Sequence, residues 1–152
     1  MPQTLIDTNV LIYAYDRSEP HRQRQALAVL DHLVSAGQGV LSTQVLTEFC
    51  AVALRKLTYV LTPEQVEARV THYAHIFTVL PVTVPVIQMG LRGVREHSLS
   101  YWDAQIWAAA CLHGLPLLLS EDFNPGTVIE GVHFANPFAA DFDWATLSLD
   151  TV

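Results

Sequence analysis

An apolar dipeptide, Leu5-Ile6, stops at the carboxylate of Asp7, and an apolar run from Val10 follows after only two hydrogen-bonding residues. This order predicts a short buried strand, a tight turn that carries Asp7, and a helix that begins almost at once. In an open parallel sheet, ligands bind just beyond the carboxyl ends of the strands, which is where Asp7 would lie. Other carboxylates that follow strands would reach the same edge of the sheet.

Strand-like and helix-like apolar segments alternate along the rest of the chain. The clearest strand is Pro116–Ser120, which is apolar up to its last residue, as expected inside a parallel sheet. The clearest helix is Tyr101–His113, whose body is apolar nearly all round except for Gln105. The other predicted strands are 39–41, 77–82 and a weaker one at 132–135; the other predicted helices are 20–36, 43 to about 57, 63 to 76 or 77, and 85–97. Strands that alternate with helices predict an α/β fold with a mostly parallel central sheet.

The composition predicts one folded domain but not a general nucleic-acid binder. The 152 residues are 51% hydrophobic and 15% charged, which is typical of a domain with a substantial core. The net charge of −7 is uneven: residues 1–95 carry all eight Lys and Arg with seven acidic residues, whereas residues 96–152 carry eight acidic residues and no Lys or Arg. Any contact with RNA or DNA would therefore be local, with a bound divalent cation reversing the field at the site.

The remaining features predict an intracellular environment. Cys50 and Cys111 lie in apolar helical stretches and are too few and too far apart for a zinc motif or a disulfide scaffold. The amino-terminal stretch lacks a basic region, and no apolar run approaches the roughly 18 residues of a membrane span. We therefore expect a soluble, cytoplasmic protein that does not associate with membranes. The acidic segment 139–152 is expected to be a loosely attached tail.

Four acidic residues are candidates for chemistry, and each also has a structural interpretation. Asp7 is an adequate N-cap for the helix that follows it. Asp103 fits a capping pattern with Ser100. Asp122 lies in a segment rich in turn-forming residues, and Glu48 is a helical glutamate, most of which are simply solvated. None of the four indicates a function alone.

Considered together, the four carboxylates favour a metal site. An α/β sheet would gather most of them at one edge, where each pair about 5 Å apart costs on the order of 3 kcal/mol at an effective dielectric near 20. A fold tolerates this repulsion only if some carboxylates are protonated or a divalent cation binds. Oxygen ligands without a cluster of His or Cys select Mg²⁺ or Mn²⁺ over zinc.

Four segments, in this order, resemble the PIN domain family and, more narrowly, the VapC-type toxins of bacterial and archaeal toxin–antitoxin pairs. They are Leu5-Ile6-Asp7-Thr8-Asn9-Val10-Leu11, Thr47-Glu48-Phe49, Tyr101-Trp102-Asp103-Ala104, and Leu119-Ser120-Glu121-Asp122-Phe123 with Asn136-Pro137-Phe138. The resemblance covers nearly all of residues 1–138. It implies a PIN-like three-layer α/β/α sandwich over that range, followed by the acidic tail.

The resemblance also implies an activity and its partners. It implies a metal-dependent endoribonuclease that uses Mg²⁺ or Mn²⁺, forms a homodimer and is neutralised by a cognate antitoxin. The residues implied as catalytic and metal-binding are Asp7, Glu48, Asp103 and Asp122, with Asn9 and Ser120 as supporting polar residues.

Contacts with RNA and competing functions remain open. Arg17, Arg22 and Arg24 are candidates for contacts with backbone phosphates, with Arg92 and Arg95 next, although solvated arginines are an equally good interpretation. An alternative function is a PIN-like binding module that acts by forming a complex with an antitoxin or another protein, which the acidic balance slightly favours. A weaker alternative is a phosphatase of another α/β family. Metal-dependent cleavage of RNA by the isolated chain distinguishes the first function from both alternatives.

Overall fold

The computed structural model describes residues 3–148 and contains a six-stranded sheet flanked by helices. In chain order the elements are β1 (Thr4–Ile6), α1 (Thr8–Tyr13), α2 (Pro20–Ala36), β2 (Gly39–Ser42), α3 (Thr43–Lys56), α4 (Pro63–Ile76), β3 (Thr78–Leu80), α5 (Val84–His97), α6 (Tyr101–Leu112), β4 (Leu117–Leu119), β5 (Val128–Ile129), β6 (Val132–Ala135) and a 3₁₀ turn (Trp144–Ser148). This architecture confirms the predicted α/β fold with a mostly parallel sheet.

The order of the strands places a switch point beside β1. Across the sheet the strands run β3-β2-β1-β4-β6-β5, and every neighbouring pair is parallel except β5 with β6. The chain builds outward from β1 through β2 to β3, then returns to place β4 on the other side of β1. In such sheets the crevice for ligands lies at the carboxyl ends of the strands where the order reverses. The crevice of this protein therefore lies between the ends of β1 and β4.

The register of β1 and β4 brings two predicted site segments side by side. Ile6 pairs with Leu119, and the backbone N–H of Asp7 donates to the Leu119 carbonyl oxygen at 2.9 Å. Both strands are buried along their whole length, and apart from Thr4 their residues are apolar. Asp7 and Ser120 consequently leave the sheet next to each other.

Close packing of α5 against α6 fixes the helix that carries Asp103. A Cβ added at Gly93 would lie 2.8 Å from the buried ring of Trp107, and one added at Gly90 would lie 3.3 Å from the Gln105 Cα. The absence of side chains at these two positions lets the helices approach closely. Much of α6 is buried, as its nearly all-apolar body predicts.

The short hairpin strand β5 was not predicted. It contains only Val128 and Ile129, and it pairs antiparallel with β6. Two residues are too few to show a period of two in the sequence.

None of the helices in residues 3–148 is both long enough and apolar enough to cross a membrane.

Part of the acidic segment 139–148, which the sequence analysis treats as a tail, packs against the rest of the described chain. Leu147 is fully buried, and its carbonyl oxygen accepts a hydrogen bond from the Gln38 side-chain amide at 2.9 Å. The ring of Trp144 contacts the rings of His32 and Phe142. Isolated apolar residues in an acidic segment carry no periodic signal, so this docking is visible only in the tertiary structure. Residues 149–152 lie outside the described part of the chain.

Replacing Leu147 with Ala is expected to destabilise the protein by about 2–3 kcal/mol, because the substitution leaves a cavity under the 3₁₀ turn. Unfolding in urea, followed by tryptophan fluorescence, measures the change. The matched control is Leu54→Ala, since Leu54 is 49% exposed on α3 and its loss is expected to cost no more than about 0.5 kcal/mol. Equal effects of the two substitutions would contradict the docking of this segment.

Candidate functional site

Asp7 caps a helix and also lies at the switch point of the sheet. Its Oδ1 accepts a hydrogen bond from the Thr8 backbone N–H at 2.7 Å at the start of α1. Its Oδ2 accepts a hydrogen bond from the Ser120 hydroxyl at 2.6 Å. The side chain is only 6% exposed. One conformation of Asp7 therefore both caps α1 and places its carboxylate at the switch point.

Asn9 and Ser120 connect the two loops that follow β1 and β4. The Asn9 amide nitrogen lies 3.2 Å from Asp122 Oδ2, 3.3 Å from Ser120 Oγ and 3.5 Å from Asp7 Oδ2. The Ser120 hydroxyl oxygen also accepts from the Asp122 backbone N–H at 3.0 Å. The carbonyl oxygen of the Asn9 side chain is buried and has no partner within residues 3–148. Both residues thus hold Asp7 and Asp122 near each other.

Glu48 reaches the same site from α3. Ser42 caps this helix by accepting from the Val45 backbone N–H at 3.2 Å. Glu48 Oε2 accepts from the Thr8 hydroxyl at 2.9 Å, and Oε1 accepts from the Gln44 side-chain amide at 2.9 Å. Both carboxylate oxygens therefore have donors, one of which adjoins Asp7 in the sequence.

Asp103 lies in the first turn of α6 without the predicted capping interaction. Ser100 occupies the N-cap position, but its side chain makes no capping hydrogen bond. Asp103 and Asp122 line one cavity of about 320 Å³. The structural interpretation of Asp103 as the partner of a Ser100 cap is thus wrong, and its carboxylate lies near Asp122 instead.

A second cavity, of about 460 Å³, is lined by three of the four carboxylates, including Asp122 again. Asp7, Glu48 and Asp122 line this cavity together with apolar residues that include Ile12 and Val52. Because the two cavities share Asp122, the four predicted residues form one continuous acidic region. The structure thus brings together four acidic residues that lie in four separate segments of the sequence.

Burial and mutual repulsion disfavour ionisation at this site. Burial raises the pKa of Asp7 to about 7, against the opposing effect of hydrogen bonds from Ser120 and Thr8, and the charges of Asp122 and Glu48 add to the rise. Burial also raises the pKa of Asp122, and the charge of Asp103 adds to it. Within residues 3–148, no Lys, Arg or His forms an ion pair with any of these four carboxylates. The acidic region lacks a positive charge that a metal ion would supply.

The donor atoms fit a hydrated Mg²⁺ or Mn²⁺ ion. All are oxygens, which these hard cations prefer. In the described part of the chain, no three of the four carboxylates bring oxygen atoms within 4.8 Å of one another. Mg²⁺ usually retains several waters and takes only one or two protein carboxylates directly. The spacing therefore suits an ion that some of these carboxylates contact through water.

Glu96, His97 and Glu130 form a separate cluster, whose possible ligand atoms lie within 4.8 Å of one another. Arg92 already pairs with Glu96 at 2.9 Å and with Glu130 at 2.8 Å, and His97 Nε2 lies 2.7 Å from Glu130. Arg92 and Arg95 together supply positive charge to the two carboxylates without a metal. This cluster is better described as an ion-pair network that joins α5 to the β5–β6 hairpin.

Most of the predicted phosphate-binding arginines have partners within the chain. Arg22 Nε lies 3.3 Å from Glu121 Oε2, and its guanidinium lies 5.3 Å from the centre of the Tyr13 ring. The guanidinium of Arg24 lies within hydrogen-bonding distance of His21, and Arg95 pairs with Glu96. For Arg17, no side-chain partner occurs among residues 3–148. These contacts do not test RNA binding, but they reduce the number of free cations.

Lys56 is a site residue that the sequence interpretation missed. It lines the larger cavity, and no partner for its side chain occurs in the described residues. Steps of four residues from Glu48 through Val52 to Lys56 place these side chains along one side of α3. That helical spacing was the available signal in the sequence.

The fold and the site define an α/β protein that gathers acidic residues at the switch point of a parallel sheet. A family model described as the PIN domain matches residues 4–125. The chain therefore belongs to the PIN domain family. Curated proteins include no significant sequence match to it.

Solved structures support the same fold. A toxin–antitoxin complex from Klebsiella pneumoniae is 24% identical, with a TM-score of 0.63 over 89% of this chain and 98% of that chain. A DNA-bound VapBC complex from Salmonella typhimurium is 18% identical, with a TM-score of 0.62 over 90% and 99%. The sarcin–ricin-loop-cleaving toxin VapC20 from Mycobacterium tuberculosis is 17% identical, with a TM-score of 0.60 over 84% and 98%. The PIN-like sandwich is thus confirmed.

Proposed function

We propose that this protein is a metal-dependent endoribonuclease and the VapC-type toxin of a toxin–antitoxin pair. The observation that carries the proposal is the gathering of Asp7, Glu48 and Asp122 in one cavity without a cationic partner from residues 3–148. Membership of the PIN family supports it, as does the likeness to a toxin that cleaves the sarcin–ricin loop.

The chain's own residues have distinct roles in this proposal. Asp7 binds the ion, and Ser120 with the Thr8 backbone N–H orients its carboxylate. Glu48 or Asp122 positions the attacking water, and the carboxylate of Asp103 adds to the negative charge that attracts the cation. A Mg²⁺ or Mn²⁺ ion held there would lower the pKa of that water and offset the charge that develops on the phosphate. Asn9 keeps the two loops together.

The larger cavity offers a path for a single RNA strand. It is lined by the carboxylates, by Ile12 and Val52, and by Lys56, which lies about two helical turns after Glu48 on α3. Phosphate contacts by Lys56 and Arg17 suit this path, because each has a free side chain within the described residues. An apolar wall between the metal site and a cation is suited to unpaired bases, whose faces bind apolar and aromatic surfaces.

We also propose an antitoxin partner and a homodimer. Complexes with antitoxins occur among the similar structures. The exposed apolar residues of α5, Val84, Ile87, Leu91 and Val94, follow one another at helical spacing and provide a surface for a second copy. One observation supports the alternative, a binding module without nuclease activity. The larger cavity has an apolar and acidic lining that would suit a basic amphipathic segment.

The test is RNA cleavage by the purified chain with Mg²⁺ or Mn²⁺, followed by addition of EDTA. Total RNA is the substrate, since it contains both single-stranded and structured targets. Cleavage that stops with EDTA is expected, and Asp103→Asn is expected to lower its rate by about 100-fold or more. Asp31→Asn, an exposed substitution on α2, is the matched control and should cleave normally. If the wild-type chain cuts no RNA with either ion but binds an antitoxin, the binding-module alternative is correct.

A further inference from the structure

Two glutamine side chains are buried between the helices that carry Glu48 and Asp103. Gln44 on α3 is 8% exposed, and Gln105 on α6 is 5% exposed. Gln105 interrupts the apolar body of α6, where an aliphatic side chain would need no hydrogen-bond partner. Burying an amide is unfavourable unless its polar atoms form hydrogen bonds. The partners of these two amides therefore indicate why they are present.

The amides form a chain of hydrogen bonds that ends at Glu48. The Tyr101 hydroxyl donates to Gln105 Oε1 at 2.9 Å, and Gln105 Nε2 donates to Gln44 Oε1 at 2.9 Å. Gln44 Nε2 then donates to Glu48 Oε1 at 2.9 Å and to the Trp102 carbonyl oxygen at 3.0 Å. The three bonds that link Tyr101, Gln105, Gln44 and Glu48 all run in one direction, from the start of α6 to the carboxylate.

This directionality determines which atom of Gln44 faces Glu48. A flipped Gln44 amide would place its oxygen against two acceptors, the Glu48 carboxylate and the Trp102 carbonyl, and would place its nitrogen against the Gln105 donor. Both contacts are repulsive. Because the Glu48 carboxylate and the Trp102 carbonyl only accept, the Gln44 nitrogen faces them. Gln44 Oε1 then faces Gln105 Nε2, and Gln105 Oε1 faces the Tyr101 hydroxyl.

The Gln44 nitrogen also joins two parts of the acidic region. Its two protons reach Glu48 and the carbonyl of Trp102, the residue that immediately precedes Asp103. The other oxygen of Glu48 accepts from Thr8, the residue that follows Asp7. The Glu48 carboxylate is therefore fixed by donors tied to the segments that carry Asp7 and Asp103.

We propose that Gln44 is a positioning residue for the metal site. Gln44 acts through Glu48 and the backbone beside Asp103, and Gln105 acts through Gln44 by orienting its amide. Groups that hydrogen-bond to metal ligands fix the ligands' orientation, and their loss typically weakens metal binding by about 10- to 100-fold. This role rests on the proposed metal-dependent function, but it concerns binding of the ion rather than turnover.

Titration of metal-free protein with Mn²⁺, followed by calorimetry, tests the role of Gln44. Gln44→Met keeps the length and volume of the side chain but removes both donors, and it is expected to weaken Mn²⁺ binding by about 10-fold. Gln105→Met leaves Gln44 in place without its orienting donor, and a loss of about 3-fold is expected. The matched control is Gln25→Met, since Gln25 donates to the Pro137 carbonyl oxygen at 2.8 Å and should retain wild-type affinity.

The outcomes separate this role from the proposed function. Unchanged Mn²⁺ affinity in both Gln44→Met and Gln105→Met overturns the positioning role, as does an equal loss in the Gln25→Met control. If wild-type protein binds Mn²⁺ and the two variants bind it more weakly, the positioning role of Gln44 stands. Failure of the wild-type chain to cut RNA would then overturn the proposed nuclease activity but not this role. If the wild-type chain binds no Mn²⁺, both proposals fail. Gln105→Met provides the decisive comparison should Gln44→Met not fold.

Discussion

Asp7→Asn is expected to lower the rate of metal-dependent RNA cleavage by about 1000-fold or more, because it removes the charge of the most deeply buried carboxylate at the site. Asp7 is the candidate ligand at the switch point, and its carboxylate is oriented by the Ser120 hydroxyl and the Thr8 backbone N–H. Asparagine has nearly the same shape but provides a single neutral oxygen. Initial rates at saturating RNA, measured over a range of Mg²⁺ concentrations, give the effect.

The matched control for this loss is Asp16→Asn. Asp16 also lines the larger cavity, but its carboxylate accepts hydrogen bonds from the Ser18 backbone N–H and hydroxyl. It lies beyond the end of α1 and its carboxylate already has these donors, so its substitution is expected to change the rate by no more than about 3-fold. Comparable activity of Asp7→Asn and wild-type protein would remove Asp7 from the catalytic machinery.

The same substitution is expected to stabilise the metal-free protein at alkaline pH. The pKa of Asp7 is raised from 3.8 to about 7, so the folded state holds a proton that the unfolded state releases. Ionisation of Asp7 therefore costs stability that grows as pH rises above the unfolded value and levels off above the folded value. By linkage, the full cost is about 4 kcal/mol near pH 8.5, and about 3 kcal/mol of it appears between about pH 4.5 and pH 8.5.

Urea unfolding in EDTA at the two pH values measures this difference. Asparagine does not ionise, so the stability of Asp7→Asn relative to wild type should rise by about 3 kcal/mol from the lower to the higher pH. The Asp31→Asn control should show no such rise, since Asp31 is exposed. A constant difference between Asp7→Asn and wild type across this range would show that Asp7 ionises normally. Saturating Mn²⁺ should reduce the difference by stabilising the ionised carboxylate of wild-type protein.

Much of the fold could be predicted because its signals are local. Helix α2 was predicted over its observed residues, Pro20–Ala36, and the ends of β4 differed by one residue at each side. Apolar periodicity, Pro at the start of helices and Gly at their ends depend on neighbours in the sequence. The antiparallel strand β5 and the docked segment around Leu147 lack such signals, because distant residues stabilise them.

The site was predictable in its members but not in its connections. Asp7 and Asp122 were recognised because they follow apolar strands, and Asp103 because it begins an apolar helix. The sequence did not show that the Ser100 side chain makes no capping hydrogen bond at the start of α6. Nor did it show that Gln44 and Gln105 connect α3 to α6 beside Glu48. Nor did it show which cations remain free of acidic partners. These properties depend on side-chain geometry in the folded chain, and the contact between Gln44 and Gln105 joins residues 61 positions apart.

The sequence alone determined the α/β class, the helices, the main strands and the four acidic candidates. Each of these can be recognised from the pattern of neighbouring residues. Only the tertiary structure decided that β4 lies against β1, so that Asp7 and Ser120 adjoin. The reason is physical: sheet order arises from burial and hydrogen bonding between strands that are over 100 residues apart. The strand that ends at Asp7 becomes part of a site only when β4 lies beside it.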